Sequence, residues 1–489
     1  MFRFSVLFFT LIFCCSQTFH AIEIKGRAPN YINQTIKWTK KTDYLSNQYT
    51  IIDNCKIDSN GNFNLSGKIS NSCLTELSIG MSSGFLYVDK NTKNYIIFFP
   101  EDTTTSQSTL KKHFVQLIFE KLPITELNSL LLDFNLQLDY FLFGDTSKLI
   151  RMAKHEAEFQ DSLNIFKIKI SNRYKNYKVK YLHNYVRYEV ALMEQMAHQN
   201  KGEKFRYYLY KTYLSQHTIN YENDAYMEFF NQFYDQPFRL ANQDIIDKID
   251  FSINNLNSLK ELSTALENSI YFQEKKLAEL AIIKGLGNAF YSRRYNQNNV
   301  LSILNEIANN SEWEKHKQIA NNMIITIQKL LPNTYAPLFT LKNQNDSIFK
   351  LISTRGKYTY INFFATWSPE SLHDMEIINQ LKEKYSFINF CSINLDKDTS
   401  NYIDYLKENQ QFNWDICHFN YKTEILNNYS IDHLPSYVLI NPDGTICQFP
   451  AYGPSPLSKG YKSSTIDETF FNIGKKNKVP EPFKIGGKN

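Results

Sequence analysis

The sequence predicts a multidomain α+β protein: a β-rich, sandwich-like N-terminal domain, an all-helical middle and a C-terminal α/β domain. Three observations predict this. Short β-type runs separated by turn residues fill the chain from Ile22 to about Glu101. From about residue 106 to 331, apolar and aromatic residues recur at three- and four-residue spacing, the helical period. Beyond that a buried-type strand, a helix and a second strand follow in βαβ order. The 489 residues have room for roughly two to four domains, each with material for a core. We divide them into a signal peptide at 1–21, a β-rich domain at 22–104, a helical domain at 105–331, an α/β domain at 332–475 and a tail at 476–489.

Met1 to Ala21 carries one basic residue, Arg3, ahead of an apolar core from Phe4 to about Phe13. That length and pattern read as a signal peptide, cut after Ser16 or Ala21, and the core is too short for a membrane span. Export to the periplasm or outer cell envelope is the expectation. Phe13 is bulky where a lipid-anchored Cys14 needs a small predecessor, so no lipid anchor is expected. No other segment is apolar for long enough to cross a bilayer. The 54 basic and 49 acidic residues leave a net charge of +5, which points to no nucleic-acid partner. The basic run Lys475-Lys476-Asn477-Lys478 reads as a solvated tail.

In the N-terminal part the β-type runs are Ile22 to Gly26, Thr35 to Trp38, Tyr49 to Ile57, Phe63 to Lys68 and Tyr95 to Phe99. Asp58-Ser59-Asn60-Gly61-Asn62 predicts a hairpin between the third and fourth. Cys55 and Cys73 are a possible disulfide in an oxidising compartment; equally they are core thiols, because five mature cysteines leave an odd one.

In the helical part Tyr174, Tyr177, Tyr181, Tyr185, Tyr188 and Leu192 recur at helical intervals and predict a tyrosine stripe along one helix face. Such a stripe suits a sugar or peptide, but amphipathic packing explains it without a ligand, and packing is the reading adopted. The histidines are scattered and no His-Glu-x-x-His or Cys/His cluster occurs, so no metal is expected. Gly285-Leu286-Gly287 is too little for a phosphate loop, and no cofactor is expected.

In the C-terminal part Tyr360 to Ala365 is a strand by length and composition, running into Trp367-Ser368-Pro369-Glu370-Ser371. Ser368 suits a helix N-cap, Pro369 the first helical position and Glu370 the positive end of the dipole. A helix is expected from Pro369 to Tyr385, with Leu372, Met375, Ile378 and Leu381 on one face. Phe387 to Leu395 is the second strand. After Leu434-Pro435, the runs flanking Asp443-Gly444 predict a hairpin.

These segments, with Tyr335-Ala336-Pro337-Leu338-Phe339-Thr340-Leu341 ahead of them, resemble the TlpA-type thioredoxin-like reductases, relatives of the peroxiredoxins. A small β-rich domain like this one often precedes such modules in exported Bacteroidetes-like proteins. The resemblance implies a thioredoxin-like fold for 332–475, a cis peptide at Leu434-Pro435, and a groove at Trp367, Ser368, Pro369, Glu370, Ser371, Leu434 and Pro435 where an extended peptide pairs with backbone. It also implies that Ser368 and Ser371 stand where the family has Cys-x-x-Cys. Disulfide exchange needs a thiolate, stabilised at a helix N-terminus; a serine hydroxyl neither ionises near neutral pH nor forms a disulfide. None of Cys55, Cys73, Cys391, Cys417 and Cys447 belongs to a Cys-x-x-Cys. A hydrolase built on Ser368, His433 and Asp432 lacks the Gly-x-Ser-x-Gly elbow. Asn362, in a strand position where simple thioredoxins carry a carboxylate, cannot titrate. The expectation is a redox-silent binding or scaffolding module that holds a protein or peptide segment noncovalently. The alternative is a thiol-disulfide oxidoreductase acting through its other cysteines.

Overall fold

The computed structural model describes residues 21–104, 110–144, 156–197, 202–455 and 464–477. Residues 1–20 of the expected signal peptide, with Cys14 and Cys15, and residues 478–489 of the expected tail lie outside the described residues, whereas Lys476 and Asn477, expected in the tail, end a helix.

Among the described residues nine strands form the N-terminal part: β1 (Ile22–Arg27), β2 (Thr35–Lys41), β3 (Tyr49–Lys56), β4 (Asn62–Gly67), β5 (Cys73–Ile79), β6 (Ser82–Val88), β7 (Asn94–Phe98), β8 (His113–Phe114) and β9 (Ile118–Phe119). They make two sheets, ordered β4-β1-β7-β9 and β3-β2-β5-β6-β8. One core serves both, with Ile24, Leu65 and Ile97 from the first and Trp38, Leu77 and Leu86 from the second. The Asp58–Asn62 turn forms, Asp58 N–H donating to the Asn62 carbonyl at 3.0 Å and Gly61 taking φ +79°. It does not close a simple hairpin. β3 ladders along β2 and β4 along β1, so the turn passes the chain from one sheet to the other. The β-rich part also extends past residue 104, because β8 pairs with β6 and β9 with β7.

No disulfide joins Cys55 to Cys73. Cys55 lies opposite Ile36 on β2, and the β5 residue level with it is Ile79. Cys73 is six residues further along β5, about 20 Å away, with β2 between the two strands. Both thiols face the β-domain core, and burial pushes that of Cys73 up to about 12.

The middle is helical: α1 (Leu127–Phe143), α2 (Glu156–Tyr174), α3 (Lys180–Ala197), α4 (Gly202–Leu209), α5 (Asp224–Phe233), α6 (Gln243–Phe251), α7 (Leu259–Glu267), α8 (Lys275–Phe290), α9 (Gln297–Asn310) and α10 (Glu314–Gln328). None of the described helices is long and apolar enough to cross a membrane. The predicted tyrosine stripe is broken: Tyr174 ends α2, Tyr177 lies in the turn, and only Tyr181, Tyr185 and Tyr188 share α3. These tyrosines pack inside. Tyr181 donates to Asp224 at 2.7 Å, Tyr188 to the Tyr213 carbonyl at 2.9 Å, and Tyr185 meets Phe134 edge-to-face.

The C-terminal part opens with the β10 (Thr340–Lys342) and β11 (Ile348–Lys350) hairpin. It continues as β12 (Tyr358–Phe364), α11 (Pro369–Lys384), β13 (Ile388–Asn394), α12 (Thr399–Glu408), β14 (Asp415–His418), α13 (Thr423–Asn428), β15 (Ser436–Ile440), β16 (Ile446–Gln448) and α14 (Ile466–Asn477). The sheet order is β14-β13-β12-β15-β16, with β12, β13 and β14 parallel and β15 and β16 antiparallel. Alternation along β12 divides two cores. Tyr360 and Phe364 face Met375, Ile378 and Leu381 of α11, while Ile361 and Phe363 face the opposite layer with Phe339 and Tyr429. That second core also takes in Met81 from the β5–β6 turn and Leu330 from beyond α10, so all three parts meet there.

Candidate functional site

β12 delivers the chain to a turn at Ala365–Ser368, and α11 leaves from it. Ser368 is extended (φ −103°, ψ 104°) and caps the helix: its Oγ accepts from the Ser371 amide at 3.3 Å and from the Ser371 hydroxyl at 2.9 Å. Pro369 and Glu370 follow in the first turn. Both serines are buried, whereas Trp367 is 38% exposed at the molecular surface.

Pairing of Phe363 with Ser436 sets Pro435 and Leu434 beside the segment that forms the turn. The Leu434–Pro435 peptide is cis. Among the described residues neither the N–H nor the C=O of Leu434 has a hydrogen-bond partner. The result is one surface strip with an exposed indole, a capped helix start and unpaired backbone.

Three residues to which sequence reasoning gave no role, Asp396, Asp374 and Tyr437, help hold this strip in place, together with Asn362. The Asp396 carboxylate, buried after β13, accepts from the Thr366 amide at 2.9 Å, and its other oxygen takes the Asn394 side-chain amide at 2.9 Å. Asp374, buried one turn into α11, accepts from the hydroxyls of Tyr437 and Ser455 and so ties the helix to β15. Burial, then the Asp374 charge, push the Tyr437 phenol well above its ordinary range, so it stays a donor. Asn362, which cannot titrate, is held by its neighbours: Ser392 donates to its Oδ1, its Nδ2 meets the Met375 sulfur at 3.4 Å, and Trp414 Nε1 donates to Ser392 Oγ at 2.7 Å. An acid in an exposed loop and one in a helix interior look alike in sequence; only the fold gives Asp396 and Asp374 their partners.

Among the described residues no imidazole is hydrogen-bonded to Ser368. His433 Nδ1 instead meets Asp432 Oδ1 at 2.6 Å, and both side chains are exposed. The cysteines are elsewhere too. Cys391 and Cys417 touch each other, fully buried in the core on the sheet face opposite α11. Burial, then the neighbouring Cys417, hold the Cys391 thiol well above its ordinary range. Cys447 lies on β16 near Tyr358, which is the far end of β12 from the turn. Among the described residues no cluster of His, Cys, Asp and Glu is arranged to hold a metal ion.

A family model described as thioredoxin-like matches residues 356–446, which span β12 through the start of β16 and include the turn and Pro435. The C-terminal region is a thioredoxin-like domain. It is built on the five-stranded mixed sheet, with α11 packed on one face. No protein of curated function matches the chain. Among solved structures, similarity is found to a protein assigned as a thiol-disulfide oxidoreductase from Bacteroides vulgatus, at 26% identity over 27% of this chain and 94% of that one, TM-score 0.25. A thiol-disulfide oxidoreductase from Bacteroides fragilis is 25% identical over 24% of this chain and 92% of its own, TM-score 0.22. A secreted disulfide oxidoreductase from Mycobacterium tuberculosis is 18% identical over 28% and 95%, TM-score 0.23.

Within the thioredoxin-like domain the turn offers two hydroxyls at a helix N-terminus, and these can donate and accept hydrogen bonds. They cannot relay electrons, because neither bears sulfur.

Proposed function

We propose that this is an exported thioredoxin-like protein, working in the periplasm or outer cell envelope, whose degenerate active site holds an extended protein segment noncovalently and carries out no redox step. One observation carries the reading: beside a helix start where the Ser368 and Ser371 hydroxyls bond within the pair, the Leu434 N–H and C=O stand without partners among the described residues. An extended peptide gains two main-chain hydrogen bonds there, as in strand addition, while the exposed Trp367 ring gives it apolar cover. Met1 to Ala21, with its signal-peptide pattern, supports export.

The competing reading, disulfide exchange through another cysteine, needs an accessible thiolate. Cys391, Cys417 and Cys73 are buried, and burial raises the thiols of Cys391 and Cys73.

Fluorescence anisotropy with a labelled, cysteine-blocked unfolded polypeptide, such as reduced and carboxymethylated α-lactalbumin, tests the proposal. Binding should weaken about fivefold or more, roughly 1 kcal/mol, in Trp367→Ala and in Pro435→Ala. Binding indifferent to both substitutions, or no binding at all, overturns it.

A further inference from the structure

Two helices of the middle domain present an apolar face that nothing among the described residues covers. On α1, Leu132, Leu136, Tyr140 and Phe143 follow at spacings of four, four and three, on the side opposite the buried Leu127, Leu130 and Phe134. α2 lies antiparallel beside it: Arg173 pairs with Asp133, Lys169 Nζ reaches Gln137 at 3.0 Å, and Phe166 stacks on Phe141 at 4.5 Å. On that neighbouring helix Ile165 and Ile168 also face outward. All six side chains are between 53 and 71% exposed, far more contiguous apolar surface than isolated surface residues give.

The polar residues around this patch identify its partner. The outward row of α2, continued by the residue just after the helix, reads Glu158, Asp161, Ile165, Ile168, Asn172, Lys175. Acids stand at one end, isoleucines at the centre, an amide and a lysine at the other end. Reversed on an antiparallel copy, the row sets Glu158 against Lys175, Asp161 against Asn172 and Ile165 against Ile168. Among the described residues the carboxylates of Glu158 and Asp161 have no partner, and the Lys175 ammonium meets only the Asn172 side chain at 3.4 Å. The four-residue row on α1 contains no charge, so it meets its own reverse apolar to apolar. An isologous contact requires this self-complementarity. α1 has 17 residues, about 25 Å of helix, and two such helices about 10 Å apart offer on the order of 500 Å² per copy. Doubled, that reaches the roughly 1,000 Å² of a specific interface.

We propose that the α1–α2 pair is a homodimer surface, two copies meeting across a two-fold axis as an antiparallel four-helix layer. Analytical ultracentrifugation of the purified protein from about 1 to 100 μM should show a monomer–dimer equilibrium. Leu136→Lys should raise the dimer Kd about tenfold or more, and Lys175→Glu should also raise it. The double variant Glu158→Lys/Lys175→Glu should return the Kd to within about threefold of the parent, because the reversed charges again face each other. All three positions are exposed, and far-ultraviolet circular dichroism checks that each variant keeps its helices. A protein that stays monomeric throughout, a dimer indifferent to Leu136→Lys, or a double variant no tighter than Lys175→Glu overturns the proposal.

Discussion

At the scale of single residues, Ser368 is the clearest case of a side chain whose structural work is separable from any chemistry. Its Oγ satisfies the Ser371 amide, one of the donors a helix start leaves unpaired. Ser368→Ala should therefore cost about 1 kcal/mol of stability, read by urea denaturation, without altering redox behaviour. The motif Trp-Ser-Pro-Glu-Ser was legible because capping chemistry is local. Asp396, Asp374 and Tyr437 were not legible, because each matters through a partner far away in the chain: Thr366 for Asp396, and Ser455 and Tyr437 for Asp374.

Elements were legible to the extent that their side chains obeyed simple periodicity. β12, α11, β13 and the Asp443-Gly444 hairpin form within a residue or two of where composition puts them. β5 and β6 went unrecognised because they bury polar residues: Thr75, Glu76, Ser82 and Ser83 are all inside. Partners remote in sequence make that burial tolerable, Thr75 donating to the Leu86 carbonyl at 2.8 Å and Glu76 accepting from Lys112 at 2.5 Å. Serine and glycine at that density read as loop in a lone sequence. The sheets also impose limits that composition hides. At Gly26 of β1, between β4 and β7, an added Cβ would meet the Ile97 carbonyl oxygen at 2.3 Å, and backbone cannot swing aside as a side chain does. Gly26→Ala should lose about 1–3 kcal/mol in the same denaturation experiment.

On the scale of the whole molecule, the three parts are bound by polar contacts as well as by the shared core. Lys397, next to Asp396, donates to the Thr104 carbonyl at 2.8 Å, and Lys329 donates to the Asn427 carbonyl at 2.7 Å. Between the β-rich part and the helices, Tyr87 of β6 and Tyr181 of α3 both donate to the half-buried Asp224. Beside it Glu189 of α3 is pushed up to about 7, by burial first and then by Asp224, against the help of the Tyr185 hydroxyl; Glu228 adds to the repulsion. A carboxyl raised on folding contributes its stability below its unfolded value of 4.5 and loses it as pH rises through about 7. Glu189→Gln removes that loss, so the melting temperature of the variant relative to the parent should climb between about pH 5 and pH 8. A difference that stays flat would mean Glu189 is not held in this way. The most direct test of the account as a whole is reduction of insulin by the purified protein with dithiothreitol as electron source. A redox-silent domain leaves the rate at that of dithiothreitol alone; an acceleration that disappears when one of Cys55, Cys73, Cys391, Cys417 or Cys447 is replaced by serine would contradict it.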